Sequence, residues 1–280
     1  MPKDKVTFQQ IADSKGKHKI TMLTAYDYPL GSIADEAGID IILVGDSLAN
    51  VVLGLDSTKD VTLEQMLYHT QAVRRAVKNA LLVGDMPFEA YQLDSADALN
   101  NARRFIDEAG CNAVKLEWFA KCAQITGQII KSGIPVMGHI GLTPQTADKL
   151  GGFRVQGKDA EQAVELIRQA KALEKEGCFA LILECVPERI AGIITQGISI
   201  PTIGIGAGRY CDGQVLVIHD LIGLSGIHLP KFVKKFVDAR SVILAAIEQY
   251  AQEVRKGIFP SREHSYEIKD AEFDKVKKAL

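Results

Sequence analysis

Short apolar runs recur along the whole chain, and amphipathic stretches of helical spacing separate most of them. The runs are mostly continuous rather than alternating, which is typical of strands buried on both faces of a parallel sheet. Eight runs have this character: KITMLT from Lys19, IDIILVGD from Ile39, LLVGD from Leu81, AVKLE from Ala113, IPVMGH from Ile134, FALILE from Phe179, PTIGIG from Pro201 and QVLVIH from Gln214. The pattern therefore predicts eight parallel strands.

The stretches between the runs carry helix start and stop signals. Thr62 is followed three residues later by Gln65, which predicts a capping box at the start of one helix. Ser95 is the expected N-cap of the next helix, which Gly110 ends. A further helix is expected over residues 159–176, ended by a glycine. Its inward face is expected to carry Val164, Ile167, Ala170 and Leu173.

Strands that alternate with helices in this way form right-handed β–α–β units. Eight such strands predict an α/β fold, a (β/α)₈ TIM barrel, with a doubly wound open sheet as the alternative. Only GAGRYCD separates the last two strands, which is too short for a helix. We expect a single barrel domain over residues 1–280 with a C-terminal helical extension over about 230–280, including one long helical region over residues 230–256.

Length and composition agree with this fold and exclude several classes of protein. The 280 residues match a barrel of roughly 250 residues with an extension. The net charge of −2 argues against a nucleic-acid or membrane surface. No apolar run approaches the ~20 residues of a membrane span, and the N-terminal MPKDKVTFQQ has no apolar signal region. Five irregularly spaced cysteines indicate reduced thiols, so we expect a cytoplasmic protein.

In a (β/α)₈ barrel the active site forms at the carboxyl ends of the strands. Here the strand ends are polar, and they carry Tyr26–Asp27, Asp46, Asp85, Lys115 with Glu117, His139, Glu184 and His219–Asp220. Asp27 and Asp220 are equally compatible with a role as helix caps or turn formers. The other carboxylates come from distant parts of the chain and are expected to converge on one rim, where the sequence predicts an active site.

The residue types at this rim suggest a chemistry. Asp46, Asp85 and Glu117 form an oxygen-rich set that suits Mg²⁺. A 2-oxo acid would chelate such an ion, which would favour loss of the proton from the adjacent carbon. Glu184 follows an apolar run that would raise its pKa, as a general base near neutrality requires. Lys115 and Glu117 share one strand face and form either an internal ion pair or part of the site.

Three other features have open or negative interpretations. His139 is equally compatible with a core histidine and with a site residue. Cys185 is expected to be a small buried hydrophobe rather than a nucleophile, because no adjacent base is evident. The glycines of GIGAG, from Gly204, do not match a dinucleotide fingerprint, since the spacing differs and no helix follows. They predict either a tight turn or a place where a ligand lies against the backbone.

Twelve segments, in order along the chain, carry a family resemblance: TAYDYP, LVGDS, DSTKDVTLEQMLYHTQAV, GDMPFEAY, AVKLE, PVMGHIGLTPQ, GGFRVQGK, LILECVP, IPTIGIGAG, CDGQVLV, HLPKFVKKF and FPSREHSY. From about Lys19 to Tyr266 the chain resembles the ketopantoate hydroxymethyltransferase (3-methyl-2-oxobutanoate hydroxymethyltransferase) family. Each segment is weak alone, whereas the ordered set is highly specific.

The resemblance implies a barrel of the phosphoenolpyruvate/pyruvate type and a transferase of pantothenate biosynthesis. The implied reaction transfers the methylene unit of 5,10-methylenetetrahydrofolate to 3-methyl-2-oxobutanoate through a Mg-stabilised enolate and gives 2-dehydropantoate. The implied cofactor is one Mg²⁺ per subunit, and the implied assembly is a cytoplasmic homo-oligomer, often a decamer. The alternative is a Mg-dependent lyase or aldolase acting on another 2-oxo acid. A non-catalytic barrel that has lost turnover is a further rival.

The resemblance also assigns roles to residues. It implies a metal site at Asp46, Asp85 and Glu117, directly or through water. It implies 2-oxo acid contacts at Asp46, Ser47, Asp85 and Lys115, and it implies that Glu184 accepts the proton. His139 is a candidate proton relay or folate contact. The family usually has two glycines after KLE, where this chain has Trp118 and Phe119, so these rings bear on the shape of the second-substrate pocket.

Overall fold

The structure is a computed structural model that describes residues 5–92, 94–150, 152–226 and 229–280. Gly151 and His228, which belong to two segments of the family resemblance, lie outside the described residues. The chain divides into two compact units. The first contains residues 1–221 with 225–234, and the second contains residues 222–224 with 235–280. The predicted boundary of the extension near residue 230 stays a prediction.

The first unit is built on a closed parallel barrel. Its strands are β1 Ile20–Thr24, β2 Ile41–Val44, β3 Leu81–Asp85, β4 Ala113–Glu117, β5 Val136–Gly141, β6 Ala180–Glu184, β7 Thr202–Ile205 and β8 Gly213–Leu216. Each strand pairs with the next, and β8 pairs with β1. All the predicted strands are present, and closure confirms the (β/α)₈ barrel over the open sheet.

Helices connect most of the strands. The α-helices of the described residues are α1 Phe8–Ala12, α2 Tyr28–Glu36, α3 Leu48–Val51, α4 Leu63–Ala76, α5 Ser95–Asp107, α6 Cys122–Lys131, α7 Ala160–Glu176, α8 Glu188–Gly197, α9 Ile218–Ile222, α10 Ala239–Arg255 and α11 Asp270–Ala279. Short 3₁₀ turns cover Thr58–Asp60, Phe88–Ala90, Pro144–Leu150 and Arg262–His264. As predicted, the described residues between β7 and β8 contain no helix. Among the described helices, none is both long and apolar enough to cross a bilayer.

The interior of the barrel is apolar through most of its depth. Buried side chains from every strand form one cluster, and Ile11 of α1 belongs to it. Ile20 and Met22 of β1, for example, meet Ile41 of β2 and Val215 of β8 in this cluster. Because the amino-terminal part of the barrel is filled in this way, the carboxyl ends are where polar side chains can meet, as is general for this fold.

The predicted helix signals are confirmed at one start and wrong at another. The capping box of Thr62 and Gln65 is present at the start of α4. At α5, however, Asp94 is the N-cap, and Ser95 is already the first helical residue. The extended backbone at Asp94 lets its carboxylate accept hydrogen bonds from two backbone N–H groups, those of Ala96 and Asp97. The Asp94 carboxylate pairs two of the free N–H groups at the helix start, which makes it a better N-cap than a serine hydroxyl that pairs one.

Helix α7 confirms its predicted ends but not its whole buried face. Gly177 caps it in the left-handed region at φ 100°, as expected for a C-terminal glycine. Val164 is 46% exposed, so the prediction that it faces inward is wrong. The buried stripe begins at Ala163 and Leu166 and then continues through the predicted Ala170 and Leu173. These positions recur at three- and four-residue steps, which a 3.6-residue repeat places on one face.

Two predictions near the C-terminal end of the barrel are wrong. The eighth strand ends at Leu216 rather than at His219, because the chain turns into α9, where the Ile218 N–H donates to Thr24 Oγ1. The expected helix over 230–256 begins only at Ala239, and no helix is present in the described stretch 229–238. The backbone at Phe232 is not helical, and the ring of Phe232 packs against Gly206 of the barrel. Tertiary packing here overrides local propensity.

Candidate active site

The carboxyl ends of the strands surround a cavity of about 490 Å³ within the first unit. Its buried end is lined by Asp46, Asp85, Lys115, His139 and Glu184. Its mouth is lined by Phe153, Arg154, Lys231 and Phe232. The polar strand ends that the sequence predicted to converge do converge here. Ser47 and Asp220 also line the cavity, whereas Glu117 lies directly behind Lys115 and His139.

A buried ion pair between Lys115 and Asp85 holds the centre of this cluster. The ladder between β3 and β4 sets Asp85 beside Lys115, and Lys115 Nζ donates to both carboxylate oxygens at 2.7 and 2.8 Å. Burial alone would lower the pKa of Lys115, but the surrounding carboxylates outweigh it and raise that pKa. Burial raises the pKa of Asp85 to about 7, against the opposing charge of Lys115. Lys115 is therefore an ammonium ion in the barrel interior.

Asp46 and Ser47 follow β2 in the turn that leads into α3. The backbone N–H of Asp46 donates to Asp85 Oδ2 at 3.0 Å. The Oδ2 atom of Asp46 is buried and has no hydrogen-bond partner among the described residues. Ser47 Oγ is 2.7 Å from the hydroxyl of the buried Tyr26. The turn therefore presents one unpartnered carboxylate oxygen and one hydroxyl to the cavity.

Glu117 is fixed on one side and unpartnered on the other. Its Oε2 accepts a hydrogen bond from the backbone N–H of Gln145 at 3.1 Å. Its Oε1 has no hydrogen bond to the part of the chain that the structure describes, although it lies 3.6 Å from Lys115 Nζ and 3.5 Å from His139 Nδ1. Burial raises the pKa of Glu117 well above its usual range. The Glu117 carboxyl group is therefore held in place through Oε2, while Oε1 has no hydrogen-bond partner among the described residues.

His139 and Glu184 form the opposite wall. His139 Nε2 is 3.2 Å from Glu184 Oε2, but neither ring nitrogen makes a well-oriented hydrogen bond within the described residues. Burial, and then the charge of Lys115, hold the pKa of His139 well below its usual range, so the ring is neutral. The Glu184 side chain keeps 14% exposure, and burial followed by the charge of Asp46 raises its pKa to about 8. Glu184 has the proton affinity that a general base requires near neutrality.

The donor set fits a divalent cation. Two buried carboxylate oxygens, Asp46 Oδ2 and Glu117 Oε1, lack hydrogen bonds in the described structure, and a buried acceptor without a partner costs about 1–3 kcal/mol. Hard oxygen donors of this kind are what Mg²⁺ prefers. No three His, Cys, Asp or Glu side chains of the described residues form a finished ligand cluster. That arrangement is compatible with Mg²⁺, which usually keeps several water ligands.

A support network behind Glu117 was missed by the sequence reasoning. Gln145 is fully buried, its Oε1 accepts the hydroxyl of Tyr91 at 2.5 Å, and its Nε2 donates to the Met86 carbonyl at 3.1 Å. These bonds fix the backbone N–H that holds Glu117. The only sequence signal was that both residues lie in segments of the family resemblance, GLTPQ and GDMPFEAY.

The aromatic pair after β4 lies away from the cavity. The ring of Phe119 packs on Tyr91 with centroids 5.4 Å apart. The backbone N–H of Trp118 donates to the His139 carbonyl at 2.9 Å. Neither Trp118 nor Phe119 is among the described residues that line the cavity. The expected influence of these two rings on the shape of the cavity is therefore not seen, since Phe119 packs on Tyr91 instead.

The remaining residues predicted at the rim have structural roles or take no part in the chemistry. Asp27 is the N-cap of α2 and accepts a hydrogen bond from the Leu30 N–H at 2.8 Å. Cys185 is half-buried and lines the cavity, so the prediction that it is buried is wrong. Burial nevertheless raises the pKa of its thiol to about 12, so the thiol stays protonated, as expected for a non-nucleophile. All five cysteines are free thiols. At Gly206 a Cβ atom would lie 2.7 Å from the Phe232 ring, so this glycine permits close packing within the protein.

Comparison with known sequences identifies close relatives over nearly the whole chain. The sequence profile of the ketopantoate hydroxymethyltransferase family matches residues 5–262. The 3-methyl-2-oxobutanoate hydroxymethyltransferase of Syntrophomonas wolfei is 52% identical over 273 residues, which cover 97% of this chain and 99% of the relative. The protein of the same name from Carboxydothermus hydrogenoformans is 53% identical over 264 residues, covering 94% and 96%.

Comparison with solved structures supports the barrel fold. Phosphonopyruvate hydrolase in complex with oxalate and Mg²⁺ superposes with a TM-score of 0.61 at 12% identity, over 98% of this chain and 97% of that chain. The enzyme 2,3-dimethylmalate lyase, a member of the PEP mutase/isocitrate lyase superfamily, gives a TM-score of 0.59 at 13% identity, over 97% and 96%. At these identities the likeness shows the fold alone, a closed (β/α)₈ barrel.

Proposed function

Because the chain belongs to the ketopantoate hydroxymethyltransferase family, we propose that the buried end of its cavity is the active site for that reaction. The protein is a one-carbon transferase of pantothenate biosynthesis that acts on 3-methyl-2-oxobutanoate and forms 2-dehydropantoate. Its co-substrate is 5,10-methylenetetrahydrofolate, and water supplies the hydroxyl oxygen of the product. The observation that carries the assignment of the site is the pairing of Glu184, whose pKa is about 8, with the unpartnered carboxylate oxygens opposite it.

The 2-oxo acid binds at the charged end of the cavity. The ammonium group of Lys115 supplies positive charge there, and the Ser47 hydroxyl supplies a hydrogen bond. One Mg²⁺ per subunit, held by Asp46 and Asp85 and by Glu117 directly or through water, would act as a Lewis acid on the oxo group. The two unpartnered oxygens, Asp46 Oδ2 and Glu117 Oε1, support this assignment.

Glu184 removes the proton from C3 of the bound 2-oxo acid. The resulting carbon nucleophile attacks the methylene carbon of the folate as one of its two carbon–nitrogen bonds opens, and the new carbon–carbon bond forms. Water then replaces the second nitrogen, which leaves the hydroxymethyl group on C3 and releases tetrahydrofolate. Lys115 opposes the negative charge that develops on the substrate. His139 is neutral and lies 3.2 Å from Glu184 Oε2. We assign it the role of a relay that passes on the proton that Glu184 has taken.

Formation of product tests this function directly. Purified protein is incubated with 3-methyl-2-oxobutanoate, 5,10-methylenetetrahydrofolate and Mg²⁺, and 2-dehydropantoate is measured by mass spectrometry. The expected result is metal-dependent product that disappears with a chelator and returns with added Mg²⁺. Absence of 2-dehydropantoate together with cleavage of another 2-oxo acid would support a lyase or aldolase instead.

We further propose that the protein works in the cytoplasm as a homo-oligomer, a decamer. Each subunit is proposed to be a single barrel domain that includes the extension over about 230–280. The support is the family resemblance, which continues to FPSREHSY at residues 259–266. Native mass spectrometry of the purified protein tests the subunit number. A monomer would contradict it.

A further inference from the structure

The cavity is larger than the 2-oxo acid needs. A volume of about 490 Å³ lies in the range of pockets that hold a drug-sized ligand, ~300–1,000 Å³. The 2-oxo acid is a far smaller molecule, and the charged groups that suit it are confined to the buried end. The rest of the cavity therefore has room for a second molecule, and its chemistry indicates which part of that molecule it receives.

The mouth combines aromatic surface with positive charge. Phe153 and Phe232 line it together with Arg154 and Lys231, and both cations are exposed. Neither cation has a carboxylate within ion-pair distance among the residues that the structure describes. Among the described residues of the wall, Asp220 is the acidic residue outside the buried end, and it lies on α9, where its charge acts on Tyr26 and His219. Two cations from distant parts of the chain thus meet at one opening with no carboxylate partner among the described residues.

We propose that Arg154 and Lys231 form an anion subsite that binds the carboxylates of the glutamyl tail of the folate co-substrate. This inference rests on the proposed function. The methylene carbon must reach C3 of the 2-oxo acid beside Glu184, so the bicyclic ring system enters the cavity first. The aminobenzoyl-glutamate portion then extends away from the reaction centre to the mouth. Phe153 and Phe232 offer apolar faces to its ring, and the two cations match its terminal charge.

We expect the two cations to have a modest, salt-dependent effect on the affinity for the folate. The planar guanidinium of Arg154 suits bidentate carboxylate binding, and Lys231 adds a point charge. Both groups are exposed, so water and ions screen them. Exposed ion pairs of this kind typically change an equilibrium by about 1.5- to 5-fold each. Loss of both cations should therefore raise the KM for the folate by about 2- to 25-fold.

The test separates recognition of the tail from recognition of the rest of the folate. Steady-state kinetics compare the wild type with the double variant Arg154→Ala/Lys231→Ala, using methylenetetrahydrofolate and its methylenetetrahydropteroyl amide analogue, in which a neutral carboxamide replaces the glutamate. With the complete folate we expect a higher KM for the double variant and little change in kcat or in the KM for the 2-oxo acid. With the analogue we expect the two proteins to have the same KM. Lys158→Ala removes an exposed cation of the same loop that does not line the cavity, and it should behave as wild type.

A measurement on the wild type covers the case in which the double variant folds poorly. The KM for the complete folate should rise between 50 and 500 mM KCl, while that for the glutamate-free analogue should not, because screening weakens only the tail contact. The inference is overturned if the double variant keeps the wild-type KM, if both folates lose affinity equally, or if salt affects them equally. A wild type that makes no 2-dehydropantoate would instead refute the proposed function.

Discussion

Among the residues that the structure describes, two lysine–aspartate ion pairs lie at opposite ends of the barrel, and the difference between them shows what marks the site. At the amino end, Lys15 Nζ is 3.0 Å from Asp212 Oδ2 and also donates to the Thr195 carbonyl at 2.6 Å. The same carboxylate oxygen accepts the backbone N–H of Thr202 at 2.9 Å. This pair ties the starts of β7 and β8 to the loop after α1, and its hydrogen bonds are made within the protein.

At the carboxyl end, the Lys115–Asp85 pair is more deeply buried, with side chains 3% and 1% exposed against 22% and 10% for Lys15 and Asp212. It is surrounded by polar atoms that lack hydrogen bonds to the described residues, on Asp46, Glu117 and His139. A structural ion pair would not retain such neighbours, since each costs about 1–3 kcal/mol. The presence of a buried ion pair is thus a weak sign of function, whereas unpartnered donors and acceptors around it are a strong one.

The largest expected contrast is between the two lysines in turnover. Replacing Lys115 by Met removes the charge that opposes the developing negative charge on the substrate, and should lower kcat/KM by about 10²- to 10³-fold. Lys15→Met, the matched change at the amino end, should leave kcat/KM within about twofold of wild type, since its ion pair lies away from the reacting atoms. Steady-state formation of 2-dehydropantoate measures both. Similar losses in the two variants would contradict the distinction.

The same pair of variants should also differ in how pH affects stability. In Lys115→Met the carboxyls of Asp85 and Glu117 lose their counter-charge, and burial already raises the pKa of each. Acids whose pKa is higher in the folded than in the unfolded state stabilise the fold when protonated, and this contribution is lost as pH rises. The Tm of Lys115→Met should therefore lie below that of the wild type at pH 8, and this difference should become smaller as the pH is lowered to 6. Thermal unfolding measures it, and Lys15→Met should show no such recovery.

The raised pKa of Glu184 predicts a pH profile. The base works only when ionised, so kcat/KM should fall as pH drops through its pKa. Burial sets that pKa at about 8 in the protein alone, and a bound cation would lower it towards, but not to, the ordinary value of about 4.3. Initial rates from pH 4 to 9 should give a midpoint between these limits. A rate that is flat across the range would contradict Glu184 as the base.

The smallest expected effect concerns the support behind Glu117. Tyr91→Phe leaves the buried Oε1 of Gln145 without its donor, which should cost about 1–3 kcal/mol of stability. Gln145 should then hold Glu117 less firmly, and kcat should fall several-fold with little change in the KM for the 2-oxo acid. Tyr68→Phe is the control, because Tyr68 is 71% exposed on α4. Unchanged kcat in Tyr91→Phe would show that the network serves stability alone.

The fold and the rim were predictable because they depend on strong signals. Continuous apolar runs mark strands buried on both faces, and closure of the barrel brings their polar ends together. Gln145 was not predictable as a support residue, since it lies in a 3₁₀ segment with no apolar period and acts through its backbone N–H. The non-helical path through Phe232 was missed for a similar reason, because the ring of Phe232 packs against Gly206, which is remote in sequence.

The most direct test of the account is hydrogen exchange at C3 of 3-methyl-2-oxobutanoate in D₂O, followed by proton NMR with Mg²⁺ present and folate absent. Exchange isolates proton removal from the later bond formation. The wild type should exchange the C3 proton, and Glu184→Gln should be slower by about 10²- to 10⁴-fold, while Lys15→Met should match the wild type. Exchange in Glu184→Gln at the wild-type rate, or none in the wild type, would contradict the assignment of Glu184 as the base.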